Sequence, residues 1–100
     1  MNLSLFSPDE LRAIVGARAK ELRLAKGLRQ TDLAAAAGVP LSTLKRFESR
    51  GEAGFGAVVR IAIALGADRA FTELFALPDT RTLDDILCAE RKRVRARKKS

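Results

Sequence analysis

The feature that most constrains this chain is the break at Gly38-Val39-Pro40, set between two short helix-forming stretches. An alanine-rich run, LAAAA over 33–37, stops at Gly38, and Pro40 cannot continue the same helix. A new pattern starts at Leu41, with Leu44 and Phe47 three residues apart. The spacing predicts one helix over 30–37 and another over 41–49. Helices this short are marginal alone in water, so each must be held by packing against neighbours. Leu33, Ala34 and Ala37 form the inner face of the first, and Leu44 and Phe47 that of the second. Ala34 is small enough for close approach, Gly38 permits the positive φ of a sharp turn, and Val39 with Leu44 plugs the elbow. Leu41, Ser42, Lys45, Arg46 and Ser49 are left as an outward edge.

The rest of the chain extends the same architecture. Alternating β-branched runs are absent, and helix formers dominate, so the fold class is all-α. Ser7-Pro8-Asp9-Glu10 reads as a helix start, with Ser7 as N-cap, Pro8 in the first turn and Glu10 closing a capping box. Leu11, Val15, Ala19 and Leu22 follow at helical steps, and Gly27 is the natural stop. A fourth helix covers FGAVVRIAIAL, 55–65, with Phe55, Val58, Ile61, Ala62 and Leu65 as its buried side. Asp68 can cap a short fifth helix holding Phe71, Leu74 and Phe75. A sixth starts at Thr82, with Leu83, Ile86 and Leu87 as a short apolar edge. Its second half is nearly all cationic, and like charges four residues apart fray a helix, here past about Arg95. The organisation is therefore a helical domain over 7–76, followed by a C-terminal helix and basic tail over 77–100.

Charge narrows the partner. The chain of 100 residues carries a net charge of +7, distributed unevenly. Residues 91–99 hold seven basic side chains, and residues 12–50 hold nine basic against three acidic ones. Two basic zones separated by a neutral-to-acidic one point to a polyanion, with nucleic acid leading. Other classes find little support. The single Cys88 forbids an internal disulfide, and without histidine no usual zinc ligand set is present. No metal or cofactor is expected, and Cys88 reads as a packing residue. The glycines at 51, 54 and 56 follow no strand and precede no Lys-Ser/Thr, so they are not a phosphate loop; they are read as letting the backbone before the fourth helix approach a nucleic acid. Asp84, Asp85 and Glu90 read as a solvated face beside arginines. No nucleophile is paired with a base, so an enzyme is not expected. No apolar run is long enough to span a membrane, and MNLSLFSPDE lacks the features of a secretion signal. The cytoplasm, with association to the nucleoid, is the expected compartment.

Two short helices joined by a tight turn are the layout of a helix-turn-helix, whose second helix enters the DNA major groove. The residues L-R at 22–23, G-L-x-Q at 27–30, L-A at 33–34, G-V at 38–39, T-L at 43–44, F-E at 47–48 and IAIAL-G at 61–66 resemble the Cro-type (XRE, lambda-repressor-like) helix-turn-helix regulators. The resemblance covers roughly 11–75. It implies a five-helix bundle, usually dimeric on DNA, and a sequence-specific transcriptional regulator, most often a repressor on a palindromic operator. It implies that Gln30, with Thr31 beside it, contacts a phosphate and braces the recognition helix. It implies that Leu41, Ser42 and Arg46 face base edges, and that Thr43 and Lys45 reach bases or phosphates. Arg50 joins the phosphate contacts near the fourth helix. Arg23 and Glu48 resemble the family's buried ion pair between the first and third helices.

Two departures stand out. Pro40 stands where the family often has a Ser or Thr cap, and Arg29 replaces the commoner Thr, adding a phosphate contact but removing a helix-two cap. Leu41 makes no hydrogen bonds, so sequence readout falls on Arg46. The size and the opening FSPDEL are also similar to HipB-like antitoxins, which bind a HipA-type kinase toxin and autoregulate their operon. The basic tail reads either as an arm that adds phosphate contacts or as a solubilising end. The apolar edge of the sixth helix, with the fifth, is the expected dimer surface.

Overall fold

Ser7 starts the first helix as its side chain predicts. In the computed structural model, which describes residues 5–77 together with Leu87, Glu90 and Arg91, helix α1 spans Pro8–Ala25. The Ser7 hydroxyl accepts the Glu10 amide at 3.1 Å, and the Glu10 carboxylate accepts the Ser7 amide at 3.0 Å. Both halves of the capping box are therefore made, and they hold the Glu10 carboxyl below its usual range, through the Ser7 amide first and its hydroxyl second.

Helix α2 spans Gln30–Ala37 and α3 spans Leu41–Arg50, one residue beyond the expected end. Between them Gly38 takes φ 68°, a left-handed conformation that costs glycine little. The Val39 amide then reaches back to the Ala34 carbonyl at 3.1 Å, closing the helix end. Pro40 supplies no side-chain cap, but its carbonyl accepts from Thr43 and Leu44 and so opens α3. Helix α4 spans Phe55–Leu65. The described residues contain helices and no strand.

The chain divides into two units, Met1–Asp68 and Arg69–Ser100. In the first, α1 packs chiefly on α3, while α2 packs on α4 and α3. Leu33, Leu44 and Ile61 are fully buried at the centre, joined by Ala34, Ala37, Phe47 and Leu65. Each of the three large side chains contributes about 1.5–3 kcal/mol on burial. In the second unit, α5 covers only Arg69–Thr72.

Three expectations are corrected, and the buried face of α1 is fixed. Of the residues at helical steps, Leu11 and Val15 are 45% and 48% exposed and Ala19 and Leu22 half-buried, while α1 turns Gly16 and Arg23 inward. Close approach to α3 selects the face with the smallest residue, not the most apolar one. Phe55, at the first position of α4, is 65% exposed and does not join Ile61, Ala62 and Leu65 in the core. The fifth helix stops before Leu74 and Phe75, since Phe75 takes φ 62°, outside helical geometry. Gly51 does not open the backbone to a nucleic acid. It is buried at the end of α3, and a β-carbon there would overlap the carbonyl of Arg12 on α1. The sixth helix, apart from Leu87, Glu90 and Arg91, lies outside the described residues, as do Cys88 and most of the basic tail.

Candidate nucleic-acid interface

Helix α3 divides its residues by period. Leu44, Phe47 and Glu48 are buried, and Leu41 is half-buried against the core. Ser42, Lys45, Arg46 and Ser49 are exposed. These four recur at steps of three and four residues, so they share one face of the helix. That face is short polar or cationic throughout, suited to base edges and phosphates. Thr43 is half-buried at its margin, and the Ser49 hydroxyl donates to the Arg46 carbonyl at 3.3 Å. Arg50 is exposed at the helix's last position, where a cation also complements the helix dipole. Leu41, pulled toward the core, leaves Ser42 to begin the outward row.

The start of α2 adjoins this helix through a polar network. Arg23 and Glu48 are each only 6% exposed. The Arg23 Nε donates to Glu48 Oε2 at 2.7 Å, and Nη2 donates to Oε1 at 3.0 Å, a two-pronged pair. The remaining arm of the guanidinium, Nη1, donates to the Leu28 carbonyl at 2.8 Å. The hydrogen bond to Glu48 raises the Arg23 pKa above its ordinary value. The Gln30 amide then donates from Nε2 to Glu48 Oε1 at 3.0 Å. Burial of two charges is tolerable because each prong has a partner; no buried side-chain nitrogen or oxygen among the described residues lacks one.

Arg29 precedes α2 and is bound to Asp32. The Asp32 carboxylate accepts the Arg29 amide at 3.0 Å and the guanidinium at 3.1 and 3.2 Å. An arginine cannot accept a hydrogen bond, so only the acidic half of a capping box is made. The guanidinium, and after it the amide, lowers the Asp32 pKa. The threonine cap is therefore lost without a side-chain substitute, and the Asp32 carboxylate instead ties down the Arg29 amide that leads into the helix. Thr31 is exposed beside Gln30.

Packing of α2 against α3 brings Gln30 onto the buried Glu48, with Arg29 and Thr31 exposed at the same helix start. Two participants were not visible in the sequence. Gly16 is buried in α1, where a β-carbon would overlap the Phe47 carbonyl, so it sets how closely α1 supports α3. Its signal would have been the row Arg12, Gly16, Ala19, Arg23 at helical spacing. The direct bond between Gln30 and Glu48 carries no local signal, since the two lie 18 residues apart; only the resemblance implied a brace from Gln30 to the recognition helix.

Residues 14–75 match the family described as a helix-turn-helix domain. Comparison with the curated proteins and with the solved structures finds no match.

Proposed function

The chain belongs to the helix-turn-helix domain family, a family of DNA-binding regulators, and on that premise we propose that it is a sequence-specific transcriptional repressor acting as a homodimer on a palindromic operator. The observation that carries this reading is the partition of α3. Leu44, Phe47 and Glu48 fasten the helix to the bundle, while Ser42, Lys45, Arg46 and Ser49 stand free on one face.

In this reading α3 lies in the major groove. Arg46 reads a base edge, with the O6 and N7 of guanine as the matching acceptors for its fork. Lys45, Arg50, Arg29 and Thr31 bind phosphates and set the register, and Gln30 contacts the backbone from the start of α2. Arg29 reaches a phosphate by leaving Asp32, an exchange of one exposed ion pair for another. Two protomers place their α3 helices about 34 Å apart, one duplex turn.

Selection of bound duplexes from a random library tests the proposal. Enrichment of an inverted repeat is expected, with log K falling linearly in log salt. Replacement of Arg46 by alanine should then weaken binding to the enriched duplex by about tenfold or more and relax preference at one position of each half-site. No enrichment and no salt dependence would remove DNA binding as the function.

A further inference from the structure

Glu48 is buried and cannot itself meet DNA, yet it is the hub of a chain of hydrogen bonds that ends at the surface. The chain runs from the Leu28 carbonyl to Arg23, from Arg23 to Glu48, and from Glu48 to Gln30. Three of its four members are fixed. The Arg23 fork is occupied on Nε, Nη1 and Nη2, and Glu48 is gripped on both oxygens. Gln30, half-buried at the first position of α2, is the side chain of the network that retains exposure to solvent.

A glutamine side chain is ambiguous by itself. Its amide presents either an acceptor or donors, depending on a rotation that costs little in water. A carboxylate removes the ambiguity, because it only accepts. Glu48 Oε1 therefore requires the NH2 group of Gln30, at the observed 3.0 Å, and turns the amide carbonyl away from itself. What remains for a partner outside is defined: one acceptor oxygen and one unused N–H, side by side.

We propose that Glu48 is a positioning residue for DNA recognition, which selects the one orientation of the Gln30 amide that the duplex meets. The proposal rests on the DNA-binding reading above. The ion pair between Arg23 and Glu48 is then more than a brace between α1 and α3. It ties down both carboxylate oxygens of Glu48, and so holds Gln30 in register before DNA arrives. Ordering a free glutamine on binding would cost side-chain entropy, which this arrangement has already spent in folding.

The experiment is a double-mutant cycle on the intact chain, with the duplex enriched by selection as the probe. Gln30→Ala and Glu48→Gln are each expected to weaken binding by about tenfold, a loss in the range of one good hydrogen-bonded contact. The double variant should be no weaker than about the same tenfold, because Glu48 acts through Gln30. Losses that multiply to about a hundredfold would show that Glu48 supports the fold alone, and would overturn the proposal while leaving DNA binding intact. A wild-type protein that binds no duplex would overturn both. Should Glu48→Gln fail to fold, the wild type supplies the second measurement. The side-chain amide protons of Gln30 should exchange with water more slowly than those of an exposed glutamine, by about tenfold or more. Exchange at the free rate would overturn the proposal.

Discussion

Gly51 shows how much one residue decides. It ends α3 with φ 71° and lies against the Arg12 carbonyl of α1, so both its backbone angle and its missing side chain are used. An alanine there would meet two penalties. The left-handed conformation costs about 1–2 kcal/mol, and forcing a methyl against packed backbone costs about 1–3 kcal/mol more. Gly51→Ala should therefore lower unfolding free energy by about 2–5 kcal/mol, as read from urea denaturation. A decrease below about 1 kcal/mol would show that α1 can move aside. The same close approach explains why the sequence alone misplaces this glycine. Three glycines over 51–56 resemble a loop built for close approach to a ligand, and nothing local says that α1 will occupy the space. Arg23 and Glu48 differ again: they are noticed through family likeness, since a lone arginine and a lone glutamate at a separation of 25 carry no local signal.

Helices are more legible than their faces. The start of α1 and the ends of α2 and α4 lie where caps and glycines place them, because capping chemistry acts within a few residues. The start of α2 is subtler, since Arg29 cannot cap and Asp32 instead binds the Arg29 amide and guanidinium. That arrangement gives a pH dependence with a definite sign. The Asp32 pKa is lowered on folding by the Arg29 guanidinium and amide. Its contribution is thus present above the ordinary carboxylate range and is lost as pH falls through the lowered value. The melting temperature, followed from pH 7 down to pH 2, should fall less steeply in Asp32→Asn than in the wild type. Equal slopes would mean that the pairing contributes nothing measurable in solution. Amphipathic pattern did not fix the buried face where packing chose the smallest residues: α1 leaves Leu11 and Val15 half exposed in order to bring Gly16 against Phe47.

At the scale of the molecule, charge is the organising quantity. The bundle presents a cationic row on α3, and the sequence adds seven basic residues over 91–99. If that tail binds phosphates, removing residues 91–100 makes the fall of log K with log salt shallower by about 0.9 for each phosphate it had neutralised. An unchanged slope would mean that the tail meets no phosphate, and binding measured across a salt series decides between the two. What the sequence by itself determined was the all-α class, the helix boundaries near caps and glycines, and the turn at Gly38 that makes α2 and α3 a pair. These follow from forces acting over one or two turns of chain. Only the tertiary structure decided which side of α1 is buried, that Leu41 leans inward and that Gln30 is held by Glu48. Those outcomes depend on which distant residues meet, and close packing among α1, α2, α3 and α4 settles that, not the pattern along any one helix.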